Sequence, residues 1–265
     1  WSHSSLMQAG SSTKQVGGPA EVYTRYPDDL EAQTLEATGV QKVDVVAHGS
    51  AAIKAAFIRK VYTILSMQLL LTVAGCAFFM FYQPARAFAL SSTAVFYVAL
   101  FVPLGILLAL HCYKDSHPTN MYLLGAFTLA EAYTLGVICA IYYQAGYGVL
   151  VLQALLLTAA VFVSLTTYVF VTKHDFSWMG AALTVGLVIL ILSSFMFMFF
   201  NFGSGARMVF SVGGALLFSG YILYDTSVIL HKLGPDDYIV AAINLYLDIV
   251  NLFLYLLQIL RGCQE

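Results

Sequence analysis

The sequence predicts an all-α integral membrane protein, a bundle of seven transmembrane helices, and three observations carry that reading. Of its 265 residues 60% are hydrophobic and 10% charged, against about 25% charged in an ordinary soluble domain. Its apolar residues gather into runs long enough for the ~20 residues that cross a hydrocarbon core. Between the runs stand short segments with turn chemistry. A net charge of -2 and the lack of any dense basic cluster exclude a nucleic-acid surface.

Residues 1–52 come first, a polar stretch in which Gly10, Gly17, Gly18, Pro19 and Pro27 interrupt Ser, Thr, Gln and acidic residues. Such a composition buries little surface and is flexible alone, so a partner protein is expected to hold it where it is ordered. It lacks the apolar core of a secretory signal, so insertion is expected to begin with the first span. The sequence starts at Trp1 rather than Met, which leaves the host membrane open.

The membrane domain is expected over residues 53–262, with spans at about 58–82, 92–112, 120–143, 147–171, 178–200, 207–230 and 239–260. Gln83-Pro84, the Ser116-His117-Pro118 run, Gly146, Lys173-His174-Asp175, Asn201 to Gly205 and Gly234-Pro235-Asp236-Asp237 supply the breaks. Connections this short make successive helices antiparallel neighbours. With the amino terminus inside, the inner loops hold Lys54, Arg59, Lys60, Lys114, Lys173 and Lys232, and the outer ones only Arg86, Arg207 and Arg261. That asymmetry favours this orientation.

Cys76, Cys112, Cys139 and Cys263 show no CxxC spacing, and the first three lie within or at the ends of apolar runs, where cysteine packs as a small hydrophobe. Neither a disulfide framework nor a zinc site is expected. The sequence has no GxSxG, HExxH, Walker or dinucleotide fingerprint, and Ser193-Ser194 has no base nearby, so no catalytic residue, enzyme activity or cofactor is expected. His111, His117, His174 and His231 stand near span ends, where histidine is usually interfacial.

Within the spans fall three acids, Glu131, Asp225 and Asp248. A carboxylate at mid-membrane costs roughly 2.5–3.5 kcal/mol on insertion scales, so such residues turn inward, find partners and mark ion or proton paths. In the last span Asn244, Asp248, Asn251, Tyr255 and Gln258 recur at helical spacing and form one polar stripe. At 1.5 Å rise per residue, Asp225 and Asp248 differ in depth by only about 6 Å. Two carboxyls in contact at low dielectric cannot both ionise, so they are expected to share a proton. Deprotonated, they become hard ligands suited to Ca²⁺, their candidate metal. The alternative is two unconnected acids, satisfied by Tyr224, Asn244 or backbone groups. Glu131, with Thr128 and Thr134 three residues to either side, reads as a polar face that extends the path or as a hydrogen-bonded acid.

Several strings carry a family resemblance: FIRKVYTILSMQLLLT in the first span, HPTN followed by FTLAEAYTLG, KHDFSWMG, and the closing GYILYDTSVILHKLGPDDYIVAAINLYLDIVNLFLYLLQIL. The chain resembles the Bax-inhibitor-motif transmembrane family, in its lifeguard branch, over residues 53–262. The resemblance implies a seven-helix bundle with its last helix central, acting as a pH-sensitive Ca²⁺ leak in a Golgi or endoplasmic-reticulum membrane and dampening cell death. It puts the family's aspartate pair at Asp225 in YDT and Asp248 in LYLD. The family's basic latch on the second helix has no counterpart, since that span ends with His111 and Lys114. A different class of function also fits the polar tail: an accessory subunit of a large membrane assembly, for instance in the mitochondrial inner membrane.

Overall fold

Eight α-helices account for the described residues of the computed structural model, which are 42–264 apart from 92, 115 and 201; no strand occurs among them. They are α1 Lys42–Phe81, α2 Gln83–Leu90, α3 Thr93–Cys112, α4 Thr119–Gln144, α5 Gly148–Thr172, α6 Gly180–Phe199, α7 Ser204–His231 and α8 Tyr238–Gly262, with a 3-10 turn at Ser177–Met179 before α6. Ala51–Glu265 form one compact unit.

Helix α1 starts at Lys42, so residues 42–52, expected within the flexible tail, are helical. Ala47, Ala51 and Ala52 give this stretch strong helix formers, and Val43, Val45 and Val46 add apolar content that its polar surroundings conceal. Residues 1–41, where the rest of the tail was expected, lie outside the described residues.

The break expected at Gln83-Pro84 opens a two-turn helix, α2, because proline in a first helical turn gives up an N–H that has no partner there anyway. Gly146, at φ 88°, turns the chain from α4 into α5, and Lys173 caps α5 in the left-handed region at φ 51°.

By length and composition, six helical stretches can cross a membrane: Ala51–Phe81, Thr119–Gln144, Gly148–Thr172, Ser177–Phe197, Ser204–His231 and Tyr238–Gly262. Ala99–Cys112 of α3 is a shorter apolar stretch, with Pro103 inside the helix.

Large apolar side chains cover the outside. On α6, Val185, Val188, Ile189, Leu192, Phe195 and Phe199 are all exposed. A soluble monomer does not present a continuous apolar surface of this extent, and these faces match hydrocarbon instead. The core is built from Val61 and Leu65 of α1, Leu124, Phe127 and Leu135 of α4, Ile222 and Ile229 of α7, and Ala242, Leu245, Tyr246 and Leu252 of α8. Helix α8 packs most extensively on α7 and also meets α5 and α4, whereas α6 packs chiefly on α7 and the 3-10 turn.

Small residues let the helices approach. A Cβ on Gly186 would lie 2.7 Å from Leu217 Cδ1, and one on Gly220 2.9 Å from Leu183 Cδ2, so leucines of each helix sit in glycine notches of the other.

Candidate functional site

A cavity of about 460 Å³ lies among α6, α7 and α8. Helix α8 lines it with Asn244, Asp248, Asn251 and Tyr255, four of the five stripe residues, and α7 adds Tyr221, Tyr224 and Asp225. Helix α6 closes it with Leu187, Leu190, Ile191 and Ser194. The fifth stripe residue, Gln258, continues the same face beyond it: its Oε1 accepts from Ser211 Oγ of α7 at 3.1 Å.

Both aspartates are buried, Asp225 at 8% and Asp248 at 5% exposure. Their carboxyls line the same cavity and stand close enough to interact with each other. Ionised carboxylates only accept, so a hydrogen bond between the two forms only when a proton sits between them. Asp248 Oδ2 is buried without a hydrogen-bond partner, so it is the oxygen open to a shared proton or a bound cation. Asn251 Nδ2 donates to Leu247 O at 2.8 Å, one turn back on α8. Tyr224 is held by packing, its ring lying 2.9 Å from where a Cβ on Gly180 would stand.

Glu131 does not join this cavity. It stands half-buried on α4 within electrostatic reach of Tyr246. Its expected companions diverge: Thr128 Oγ1 accepts from Gln68 Nε2 of α1 at 3.1 Å, while Thr134 Oγ1 donates to Ala99 O of α3 at 2.9 Å. Thr128 and Thr134 are six residues apart, far enough round the helix to meet different neighbours.

Sequence reasoning overlooked a second set of polar contacts in the core. Thr72 Oγ1 and Tyr246 OH lie 2.8 Å apart, linking α1 to α8. Gln68 and Thr72 are four residues apart in an otherwise apolar span, and that spacing was the available signal. Tyr221, Ser194 and Phe218, which complete the cavity's wall, gave none, because only the packing of α6 on α7 brings them there.

At the end of α7 the 173–177 corner is tied down by one carboxylate and one hydroxyl. Ser177 N donates to Asp175 Oδ1 at 2.9 Å, and Ser227 Oγ of α7 accepts from Phe176 N at 2.8 Å and lies 3.3 Å from Asp175 Oδ1. The Ser177 hydroxyl and amide beside Asp175 hold its carboxyl below the usual carboxylate range, with Ser227 and Lys232 assisting.

Among the described residues, no group of three or more His, Cys, Asp or Glu gathers as a metal cage. A cation at the aspartate pair would therefore draw on two carboxylates, neighbouring amide oxygens and water.

Comparison with known proteins places these residues in context. A family model described as "Inhibitor of apoptosis-promoting Bax1" matches residues 54–265. Protein lifeguard 4 of Mus musculus is 45% identical over 220 residues, which is 83% of this chain and 90% of that protein. The Golgi anti-apoptotic protein of Vaccinia virus (strain Lister) is 45% identical over 216 residues, 82% of this chain and 89% of its own length. A BI1-like protein of Arabidopsis thaliana is 41% identical over 236 residues, 88% of this chain and 90% of the relative.

Proposed function

The chain belongs to the Bax inhibitor family, within its lifeguard relatives, and on that premise we propose that it is a pH-sensitive Ca²⁺ leak of a Golgi membrane that protects cells from apoptosis. The observation that carries this reading is the placing of two buried acids, Asp225 and Asp248, side by side on the lining of one cavity walled by three helices. With a proton between them, the carboxyls tie α7 to α8. When that proton leaves, like charges face one another and the two helices are pushed apart. The freed oxygens, with Asn244 and Asn251 in the same cavity, are the hard donors that Ca²⁺ prefers. Conduction requires that an ion enter readily and leave again, so a pair of acids suits a leak better than a full cage does.

The architecture in this reading has seven spans, α3 being the remaining one. Its 20 residues at 1.5 Å each cover about 30 Å, the thickness of a hydrocarbon core. Helix α8 stands at the centre, since it packs on α4, α5 and α7. The Golgi assignment and the protective role rest on what the relatives are called.

Ca²⁺ flux into proteoliposomes, measured across pH 6 to 8, tests the proposal. Wild type should show a flux that changes with pH, and Asp225→Asn and Asp248→Asn should lower the flux and flatten that dependence. Unchanged flux and pH response in both variants would overturn it.

A further inference from the structure

A second cavity, of about 650 Å³, lies among α1, α4, α5 and α8, and its lining is almost entirely apolar, with Val73, Met80, Leu155 and Phe253 in the wall. Two thiols interrupt that lining, Cys76 of α1 and Cys139 of α4. They face the same cavity from neighbouring helices, close enough to interact electrostatically, and neither is bonded.

Glycine brings the two helices this close. A Cβ on Gly75 would lie 3.1 Å from Ala132 Cβ, and one on Gly136 would lie 3.2 Å from the Gly75 carbonyl oxygen. Cys76 directly follows Gly75, and Cys139 stands one turn beyond Gly136, so both flank the point of closest approach. Close backbone approach with facing side chains is the geometry a disulfide needs.

The surroundings select the oxidant. Lining residues Val73, Phe81, Val149 and Leu152 are also exposed on the outer apolar surface, so the cavity opens sideways toward lipid. Cys112 and Cys263, by contrast, are simply exposed.

We propose that Cys76 and Cys139 are a reversible disulfide site inside the membrane, oxidised by an organic hydroperoxide that enters from the lipid. Cys76, half-buried, is the thiol that attacks, and the fully buried Cys139 resolves. The Cys76 sulfur attacks the terminal peroxide oxygen, the O–O bond breaks, and the alcohol leaves with the thiol proton. Cys76 is then a sulfenic acid. The Cys139 sulfur attacks it, the S–S bond forms as the S–O bond breaks, and hydroxide departs with the Cys139 proton as water. In sum, two thiols and ROOH give a disulfide, ROH and H₂O, the thiols losing two electrons and the peroxide bond gaining them. The bond fastens α1 to α4 beside the cavity, away from the aspartate pair.

The test uses the full chain in lipid nanodiscs, with Cys112→Ser and Cys263→Ser so that only the two thiols remain. After cumene hydroperoxide, denaturation and alkylation with N-ethylmaleimide, both thiols should be lost together. Mass spectrometry should then find a peptide joining residues 76 and 139 within one chain, two hydrogens lighter than the free thiols and reopened by a phosphine reductant. Two intact maleimide adducts, a Cys76 sulfinic acid with Cys139 still free, or links only between chains would each overturn the proposal. Hydrogen peroxide reacting as fast as cumene hydroperoxide would overturn entry from the lipid.

Discussion

Removing either partner of the Thr72–Tyr246 contact should cost different amounts, and the structure says which is worse. Thr72 has one hydroxyl hydrogen, which it donates to Gln68 O, four residues back on α1 and 2.8 Å from Oγ1. The proton in the 2.8 Å contact with Tyr246 is therefore the tyrosine's. Tyr246→Phe deletes the donor; Thr72 keeps its own bond and loses only an accepted one, a loss of about 0.6 kcal/mol for a hydrogen bond between membrane helices. Thr72→Val deletes the acceptor and strands the Tyr246 hydroxyl, whose side chain is 0% exposed. A buried donor without a partner costs about 1–3 kcal/mol. In the double variant no stranded group remains, so it should be more stable than Thr72→Val alone. Reversible unfolding of the purified chain in mixed micelles on titrating denaturing detergent would measure all three. Equal costs for the two single changes, or a double variant whose loss is their sum, would refute this assignment of the proton.

Three further outcomes follow from named contacts. Gly136→Ala puts a methyl group 2.5 Å from the Phe79 ring and 3.2 Å from the Gly75 carbonyl oxygen, so the same unfolding titration should show a loss of about 1–3 kcal/mol; Gly125→Ala on the same helix meets nothing within 4 Å and should be neutral or stabilising by up to about 1 kcal/mol. Ser211→Ala removes the hydroxyl that lies 2.9 Å from Arg207 O and 3.1 Å from Gln258 Oε1 and should cost about 0.6 kcal/mol without altering the proposed Ca²⁺ flux. Because the Asp175 carboxyl is held below its ordinary value of 3.8, the docking of the 173–177 corner is fully present above that value and is lost as pH falls through the lower folded one. With Trp1→Phe leaving Trp178 as the sole tryptophan, its emission should shift in acid below about pH 4, and Asp175→Asn should show the acid-type emission already at pH 7.

Much of the bundle is legible in the chain because lipid makes apolar run length nearly equivalent to helix length. The seven apolar runs correspond to α1 and α3 to α8 within a few residues at most ends, α1 departing furthest by beginning at Lys42. Of the stripe from Asn244 to Gln258, four residues line one cavity as helical spacing requires, with Asp248 buried and the end residues Asn244 and Gln258 exposed. What the chain hides is what depends on the rotation of one helix against another. The six-residue interval between Thr128 and Thr134 looked like one polar face, yet α1 takes one hydroxyl and α3 the other. Cys76 and Cys139, 63 residues apart, give no pairwise pattern; their meeting follows from Gly75 and Gly136, and a glycine in a span reads the same whether its notch is empty or filled.

Helix α6 rests chiefly on α7, seated by leucines in glycine notches, with its other side chains turned outward. It is also the wall that closes the aspartate cavity through Leu187, Leu190, Ile191 and Ser194. Among the described residues α6 is thus the wall between two buried acids and the outer apolar surface, and it packs chiefly on α7. Bilayer thickness, acyl-chain order and lateral pressure act on α6 directly, and through it on the room available around Asp225 and Asp248. The lipid is in this sense part of the site's wall, and two membranes of different composition present the same pair of carboxyls with different surroundings.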